Sequence, residues 1–132
     1  MCKKIVLLCG LIGSGKTTYA QNNFKCFTDL DMMPRSSTKK EQVALSINLL
    51  KTDDVVCHIS CFPTEMEISV LKEYEIEYLW IDSTISQCQD NIIRRKRQRD
   101  MENLAKVFYE NEILYNRMLT TVIPFKKINV WK

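Results

Sequence analysis

The sequence predicts an α/β fold in which helices cover both faces of a mainly parallel sheet. Five short apolar runs recur along the chain, at residues 4–9, 26–30, 55–60, 76–81 and 126–131, and helix-like segments separate them. Strands that alternate with helices build parallel sheets, and strands that are buried on both faces read as nearly continuous apolar runs. We therefore expect each of these runs to be a strand of that sheet.

The first two helices are predicted from start signals and from the spacing of apolar residues. Residues 17–23 follow a glycine-rich loop, and residues 37–50 begin with Ser-Ser-Thr-Lys-Lys-Glu, a pattern typical of helix capping. Val43, Ile47 and Leu50 fall on one face of the second helix. This spacing is typical of residues that pack against a core.

The remaining helices are predicted in the second half of the chain. Pro63, Thr64 and Glu65 open a helix that ends near Tyr74. A longer segment, residues 86–118, has helical spacing on both sides of a polar stretch. We expect its second part to be a helix that faces the core.

The composition is that of one globular domain over residues 1–132, with 45% hydrophobic and 27% charged residues. No apolar stretch approaches the roughly 20 residues that a membrane span needs. The apolar run after Met1-Cys2-Lys3-Lys4 is too short for a signal peptide. We therefore expect a cytoplasmic protein with no membrane partner, whose net charge of +3 suits a small anionic substrate.

The cysteines and the single histidine are expected to be structural. Cysteines stay reduced in the cytosol. Cys57, His58 and Cys61 lie close together, but no second pair of metal ligands follows at a usual spacing. Any Ser-His or Cys-His catalytic pair would need His58, and its strand-like setting favours packing instead.

The loop GLIGSGKTT, residues 10–18, predicts a phosphate site. When a strand leads into such a Gly-x-x-x-x-Gly-Lys-Thr loop and a helix leads out, backbone N–H groups and the positive helix N-terminus face the anion. Lys16 is expected to reach the β- and γ-phosphates, and Thr17 to place its hydroxyl on Mg²⁺. The predicted nucleotide-binding residues are Gly10, Gly13, Ser14, Gly15, Lys16, Thr17 and Thr18.

With this loop the sequence resembles the P-loop kinase superfamily, in particular its small members with a Gly-x-x-Gly-x-Gly-Lys-[Ser/Thr] loop. These include shikimate kinases, gluconokinases, adenylate-kinase-like enzymes and the kinase domains of phage-type polynucleotide 5′-kinases. The order and length of the βα units match over essentially the whole chain. The resemblance implies a three-layer domain with a five-stranded parallel sheet of order 2-3-1-4-5, ATP and Mg²⁺ as cofactors, and a nucleotide at the carboxyl ends of the strands.

Two aspartates and an arginine after the second apolar run are candidates for binding the acceptor. In a strand, Asp29 and Asp31 would project to the same side. The stretch is similar to the Phe-x-Asp-x-Asp of shikimate kinases and to the aspartate-then-arginine segment of polynucleotide kinases. That similarity implies that Asp31 is the general base, that Asp29 helps to hold Mg²⁺ through a water, and that Arg35 grips an anionic part of the substrate. The alternative is a solvated strand end whose aspartates cap the following loop.

The third run departs from the superfamily pattern, because residues 55–60 end without the carboxylate that a Walker-B strand carries. Phage-type polynucleotide kinases commonly have an Asp-Thr-Asn-like segment there, and the glycine triplet of shikimate kinases is also missing. Asp82 is the remaining candidate carboxylate, or it caps the helix that follows.

The polar stretch at about 94–100 is predicted to be a lid, since five of its residues from Arg94 to Arg99 are basic. In P-loop kinases the arginines of the corresponding segment close over the phosphates and exclude water. Helical spacing places Arg95 and Arg99 on one face, and Arg94 and Arg97 on another. We expect Arg95 and Arg99 to act in the lid; a solvated face or a nucleic-acid contact are the alternatives.

Together these features predict an ATP-dependent kinase that uses Lys16, Asp31, Arg95 and Arg99 in catalysis. Its acceptor is expected to be a nucleoside, a nucleotide or the 5′-end of a polynucleotide, because the lid is so basic. A sugar or metabolite kinase, a P-loop ATPase or switch that acts on a protein partner, and a nucleotide-binding protein without turnover are the alternatives.

Overall fold

The computed structural model describes residues 3–130 and has one five-stranded sheet, all of whose strands are parallel, in the order β2-β3-β1-β4-β5. The predicted fold class and strand order are therefore confirmed. The elements are β1 (Lys4–Cys9), α1 (Lys16–Asn23), β2 (Phe27–Thr28), a 3₁₀ helix (Leu30–Met32), α2 (Lys39–Leu49), β3 (Val55–Ile59), α3 (Glu65–Leu71), β4 (Glu75–Ile81), α4 (Ile85–Arg95), α5 (Gln98–Met101), α6 (Leu104–Thr120) and β5 (Lys126–Ile128).

The central strand β1 positions the phosphate loop. It pairs with β3 on one side, from Lys4 opposite Val55, and with β4 on the other, up to Cys9 opposite Trp80. Residues 5–9 of this strand are all buried, as expected for a strand that is covered on both faces. The loop that follows Cys9 is therefore held at the middle of the sheet's carboxyl edge.

Two cores flank the sheet because alternate residues of β1 point to opposite faces. Ile5 and Leu7 belong to a core with residues of α2, α3, α4 and α6. Val6 and Leu8 belong to the other core, where they pack with Ala20 of α1. Helices thus lie on both faces, as the sequence predicts.

Capping boxes fix the starts of three helices. Thr38, Thr64 and Thr84 each accept a hydrogen bond from a backbone N–H three residues later. The Glu or Gln side chain at that later position accepts in turn from the backbone N–H of the threonine. The helix predicted to end near Tyr74 ends at Leu71. The cap of α4 is Thr84, so the alternative interpretation of Asp82 as a helix cap is wrong; its N–H donates to Ile128 O instead.

The strands β2 and β5 are shorter than expected, and the long helical segment is interrupted. β2 ends at Thr28, and the long helical segment breaks after Arg95, where Lys96 has a φ of 48°. β5 ends at Ile128, and Trp131, the predicted last residue of that strand, lies outside the described residues. No helix within residues 3–130 is long and apolar enough to cross a membrane.

Candidate active site

A cavity of about 480 Å³ opens at the carboxyl edge of the sheet. It is lined by residues of the phosphate loop, by the segments that follow β2 and β3, and by side chains from α2, α4 and α6. Parallel α/β sheets bind ligands at this edge, because the loops that leave neighbouring strands diverge there. The cavity is therefore the candidate active site.

Two glycines give the phosphate loop its shape. Gly13 and Gly15 have φ values of 87° and 97°, a region that side chains other than glycine rarely adopt. A Cβ at Gly13 would lie 2.8 Å from Cys88 O and from Ile92 Cγ1, whereas a Cβ at Gly15 would meet no atom within 4 Å. Gly13 therefore allows α4 to pack against the loop, and Gly15 starts α1 with its N-terminus beside open space.

Asparagines from two distant helices clamp the loop. The Ile12 N–H donates to Asn111 Oδ1 over 2.7 Å, and Asn111 Nδ2 donates back to Ile12 O over 2.9 Å. Asn91 Nδ2 donates to Gly13 O over 2.9 Å. Because Asn111 is fully buried, the loop conformation is held from behind by α4 and α6. No local sequence pattern indicates that these asparagines contact the loop, so they could not be predicted from the sequence.

Lys16 lines the cavity with an uncompensated charge. Its Nζ donates to Gly10 O over 3.0 Å and to Leu11 O over 2.8 Å. Among residues 3–130, no carboxylate lies within 4.0 Å of this ammonium group. A lysine that lies beside a helix N-terminus and is held only by carbonyl oxygens favours an anionic ligand.

Five of the seven predicted nucleotide-binding residues line the cavity, namely Gly13, Gly15, Lys16, Thr17 and Thr18. Gly10 and Ser14 do not. Ser14 is fully buried, and a Cβ at Gly10 would lie 2.6 Å from its Oγ. These two residues therefore pack the base of the loop against itself.

Thr17 and Asp29 form a pair of oxygen donors at the cavity. Thr17 Oγ1 donates to Asp29 Oδ2 over 2.5 Å, and Asp29 is buried. A hydroxyl beside a carboxylate suits Mg²⁺, which prefers oxygen ligands and usually keeps several waters. No group of three or more histidine, cysteine, aspartate or glutamate side chains gathers as a metal cage in the described part of the chain. The pair therefore fits an ion whose other ligands are water and phosphate.

The prediction that Asp29 and Asp31 project together from a strand is wrong, because β2 ends at Thr28. Asp29 instead caps the 3₁₀ helix, with its Oδ1 accepting from the Asp31 N–H over 3.0 Å. The Asp31 side chain is 57% exposed, lines the cavity and accepts from Arg99 Nη1 over 2.8 Å. Both aspartates still reach the cavity, but from different directions.

The predicted shared face of Arg95 and Arg99 is also wrong, because α4 ends at Arg95 and the chain turns at Lys96. Arg95 lines the cavity and donates to Asp100 Oδ2 over 2.8 Å. Arg97 lines it as well, whereas Arg99 does not and binds Asp31. Arg94, which also stays outside the lining, donates to Asn91 Oδ1.

Arg35 and Asp82 lie away from the cavity lining. Arg35 is 68% exposed and donates to Glu102 Oε2 over 3.1 Å. Asp82 lines a separate depression near Tyr115 and Asn129. The placement of these two residues therefore does not support the roles that the sequence analysis considered for them.

A buried polar network lies under the end of β3. His58 Nε2 donates to Glu67 Oε2 over 2.6 Å, and both side chains are fully buried. Burial raises the pKa of Glu67, but the hydrogen bond from His58, the charge of Lys39 and the Thr64 N–H outweigh it and lower the pKa to about 2. Glu67 is therefore a carboxylate at neutral pH, and His58 is structural, as predicted.

The lining of the cavity is strongly cationic. It contains five basic side chains and two carboxylates, those of Asp29 and Asp31. The basic residues are Lys16, Lys39, Arg95, Arg97 and Arg117. An excess of one sign of charge in a cleft concentrates ligands of the opposite sign. Because Lys39, Arg95 and Arg97 have carboxylate partners, the charges of Lys16 and Arg117 are the ones that favour an anionic ligand.

A parallel sheet of order 2-3-1-4-5 with a phosphate-loop sequence after its central strand defines the P-loop kinase class of folds, and this chain has that fold. It is similar to the crystal structure of a gluconokinase from Sinorhizobium meliloti 1021, with a TM-score of 0.60 and 12% sequence identity over 98% of this chain and 83% of that chain. The structure of APE1195 aligns with a TM-score of 0.40 and 18% identity over 95% and 80% of the two chains. No family model and no curated protein matches the sequence.

Proposed function

We propose that the protein is an ATP-dependent kinase that transfers the γ-phosphoryl group of Mg-ATP to a small anionic acceptor. The observation that carries this proposal is one cavity that gathers Lys16, the Thr17–Asp29 pair and Arg95. Phosphoryl transfer needs little covalent chemistry from a protein, because positioning and charge stabilisation supply most of the rate.

At the phosphate loop, Lys16 is proposed to bind the transferred phosphate. Its ammonium now holds two loop carbonyls, and it has three donors in all. The N–H groups at the start of α1 add partial positive charge to the same place. Arg95 and Arg97, which also line the cavity, would neutralise charge that develops on the transferred group.

Thr17 and Asp29 are the residues that would hold Mg²⁺. A bound Mg²⁺ supplies positive charge that shields the phosphate oxygens. Asp29 is fixed for this task by its second oxygen, which caps the 3₁₀ helix. Its burial keeps bulk water from competing for the carboxylate.

Asp31 is proposed to orient the acceptor hydroxyl and accept its proton. Its exposed carboxylate is now shared with Arg99, and Arg97 Nη1 lies 3.9 Å from it. These ion pairs tie the acceptor aspartate to the basic segment after α4. Movement of that segment would therefore both release Asp31 and close the lid over the phosphates.

The class of acceptor is proposed from the cationic lining. A nucleoside, a nucleotide or a polynucleotide 5′-end is the leading candidate. The gluconokinase that shares the fold is, by its name, a kinase of a sugar acid, so sugar acids belong in the same test.

Incubation with γ-labelled ATP and Mg²⁺ tests the proposal. The acceptor pools are nucleosides, nucleoside monophosphates, 5′-hydroxyl oligonucleotides, sugars and sugar acids. We expect the label to move to one pool and little to be released as inorganic phosphate when no acceptor is present. Hydrolysis that is insensitive to every acceptor, but that a protein partner raises, would contradict the kinase and favour an ATPase or switch.

A further inference from the structure

The segment that follows β3 brings two cations to one part of the cavity. Ser60 Oγ accepts from Lys39 Nζ over 2.6 Å. Two residues later, the Phe62 ring lies under Arg117, whose Cζ is 4.2 Å from the ring centroid. Lys39 comes from α2 and Arg117 from α6. Two helices that are remote in sequence therefore meet on the turn 60–62.

Lys39 is held from behind by the buried network. Its Nζ lies 2.6 Å from Ser60 Oγ and 3.4 Å from Glu67 Oε2. Glu67 is in turn fixed by His58 and by the cap of α3. An ammonium group has three donors, and two are used by these partners. The third remains for a ligand, because Lys39 lines the cavity.

Arg117 lines the same cavity, with its guanidinium over the Phe62 ring. The Phe62 ring is held in place by edge-to-face contacts with Trp80 and Phe125. Stacking on a ring leaves the N–H groups of a guanidinium available. Among residues 3–130, no carboxylate lies within 4.0 Å of Arg117 and its side chain makes no hydrogen bond.

These cations stand next to the phosphate loop but are separate from the arginines after α4. The Gly10 N–H donates to Cys61 O over 3.2 Å, and the Ser60 N–H donates to Leu8 O over 3.0 Å, so the turn 60–62 is joined to the start of the loop. Arg95 and Arg97 carry ion pairs with Asp100 and Asp31. Lys39 and Arg117 thus form a second pair of basic side chains in the cavity lining.

We propose that Lys39 and Arg117 bind an anionic group of the acceptor, a carboxylate or a phosphate, that is distinct from the atom receiving the phosphoryl group. This inference rests on the proposed function and deepens it, because it states what the acceptor must carry. Glu67 and His58 are positioning residues in this arrangement, since they act on the acceptor only through Lys39.

Matched acceptors test the inference. Initial rates with γ-labelled ATP are compared for gluconate against glucose, and for thymidine 5′-monophosphate against thymidine; each pair differs in its anionic group. We expect the charged member of the accepted pair to be preferred at least about tenfold in kcat/KM, as a charged hydrogen bond implies. The pair that shows the preference distinguishes a carboxylate from a phosphate.

Substitutions assign the preference to the two side chains. In Lys39→Met and Arg117→Met, the preference should fall to near unity through a higher KM for the charged member. Lys39→Arg keeps the charge and should retain most of the preference. Lys106→Met is the control, because Lys106 is an exposed lysine on the same helix as Arg117. A preference that survives both methionine variants, or a neutral member used equally well, overturns the inference and leaves the kinase proposal standing.

A binding measurement separates this inference from the proposed function. If no pool accepts the label, the charged acceptors are titrated calorimetrically in the presence of Mg²⁺ and a non-hydrolysable ATP analogue. Binding to the wild type that is lost in Lys39→Met supports the subsite although the kinase proposal has failed. Absence of binding by every charged acceptor overturns the subsite.

Discussion

The two ends of the cavity are built in different ways. The end at the phosphate loop comes from one continuous stretch, residues 12–18, whereas the end at Lys39 and Arg117 comes from separate segments in α2, in α6 and after β3. Phosphate binding by a loop uses backbone N–H groups and a helix N-terminus, which local sequence specifies. Acceptor recognition uses side chains that only the fold brings together. A sequence motif therefore identifies the end at the phosphate loop, whereas no motif identifies the end at Lys39 and Arg117.

Lys16→Ala is the most damaging change that we expect, because it removes the charge at the continuous end. Phosphoryl transfer to the accepted pool should fall by roughly 10²–10³-fold, the range seen when one donor to a developing charge is lost. The circular dichroism spectrum should not change, since Lys16 bonds only to loop carbonyls. The exposed Lys106→Ala variant, assayed alongside, should transfer as the wild type does; equal rates in both variants would place the chemistry elsewhere.

Asp29→Asn tests the oxygen pair between the two ends. Asparagine is also a good capping residue, so the 3₁₀ helix should persist while the negative charge is lost. We expect the Mg²⁺ concentration for half-maximal transfer to rise between about 10- and 100-fold. Asp54→Asn, which affects only an exposed pair with Lys3, supplies the comparison. An unchanged Mg²⁺ dependence in Asp29→Asn would remove Asp29 from the metal site.

Glu67→Gln probes the network behind Lys39. The folded-state pKa of Glu67 is lowered to about 2, so its contribution to stability is complete above the unfolded pKa, which is about 4.3. That contribution is lost as the pH falls from there through the folded pKa. Between pH 5 and pH 3 the wild type should lose about 2 kcal/mol more of its unfolding free energy than the variant does. Urea titrations at the two pH values measure this difference. An equal acid sensitivity would mean that His58 and Lys39 do not stabilise the charged form.

Arg95→Met and Arg99→Met compare the two arginines that the sequence analysis grouped together. Arg95 lines the cavity and Arg99 does not, so we expect kcat to fall in the first variant, which loses a charge near the transferred group, and to change little in the second. Steady-state kinetics with the accepted pool measure kcat for both variants. The reverse result would contradict a role for Arg95, and favour one for Arg99, at the transferred phosphate.

The strands and the phosphate loop could be predicted because apolar runs and a glycine pattern are local signals, whereas the strand order followed only from the resemblance to P-loop kinases. The sequence predicts where the basic segment lies, but not which of its arginines reach the cavity. Lys96 is the one non-glycine residue with positive φ in residues 3–130. No glycine or proline near it indicates that the helix breaks there. The end of β2 was missed for a similar reason, since the apolar run continues to Leu30 beyond the last paired residue, Thr28.

The residues of the second end gave no signal of their own. Lys39 reads as an ordinary first-turn residue of α2, and Arg117 as a solvated residue near the end of α6. The capping sequence Thr64-Glu65-Met66-Glu67 is the one local pattern that indicates that the Glu67 side chain is held in place at the start of α3. Its contact with His58 is set by the packing of α3 on β3 and not by spacing along the chain.

Calorimetric titration of Mg-ATP into the wild type, Lys16→Ala and Lys39→Met tests the division of the cavity most directly. We expect Lys16→Ala to weaken the affinity for Mg-ATP by about tenfold or more, whereas Lys39→Met should leave the Kd within about twofold of the wild-type value. A wild type with no affinity for Mg-ATP, or a Lys39→Met variant that weakens nucleotide binding as much as Lys16→Ala does, would contradict it.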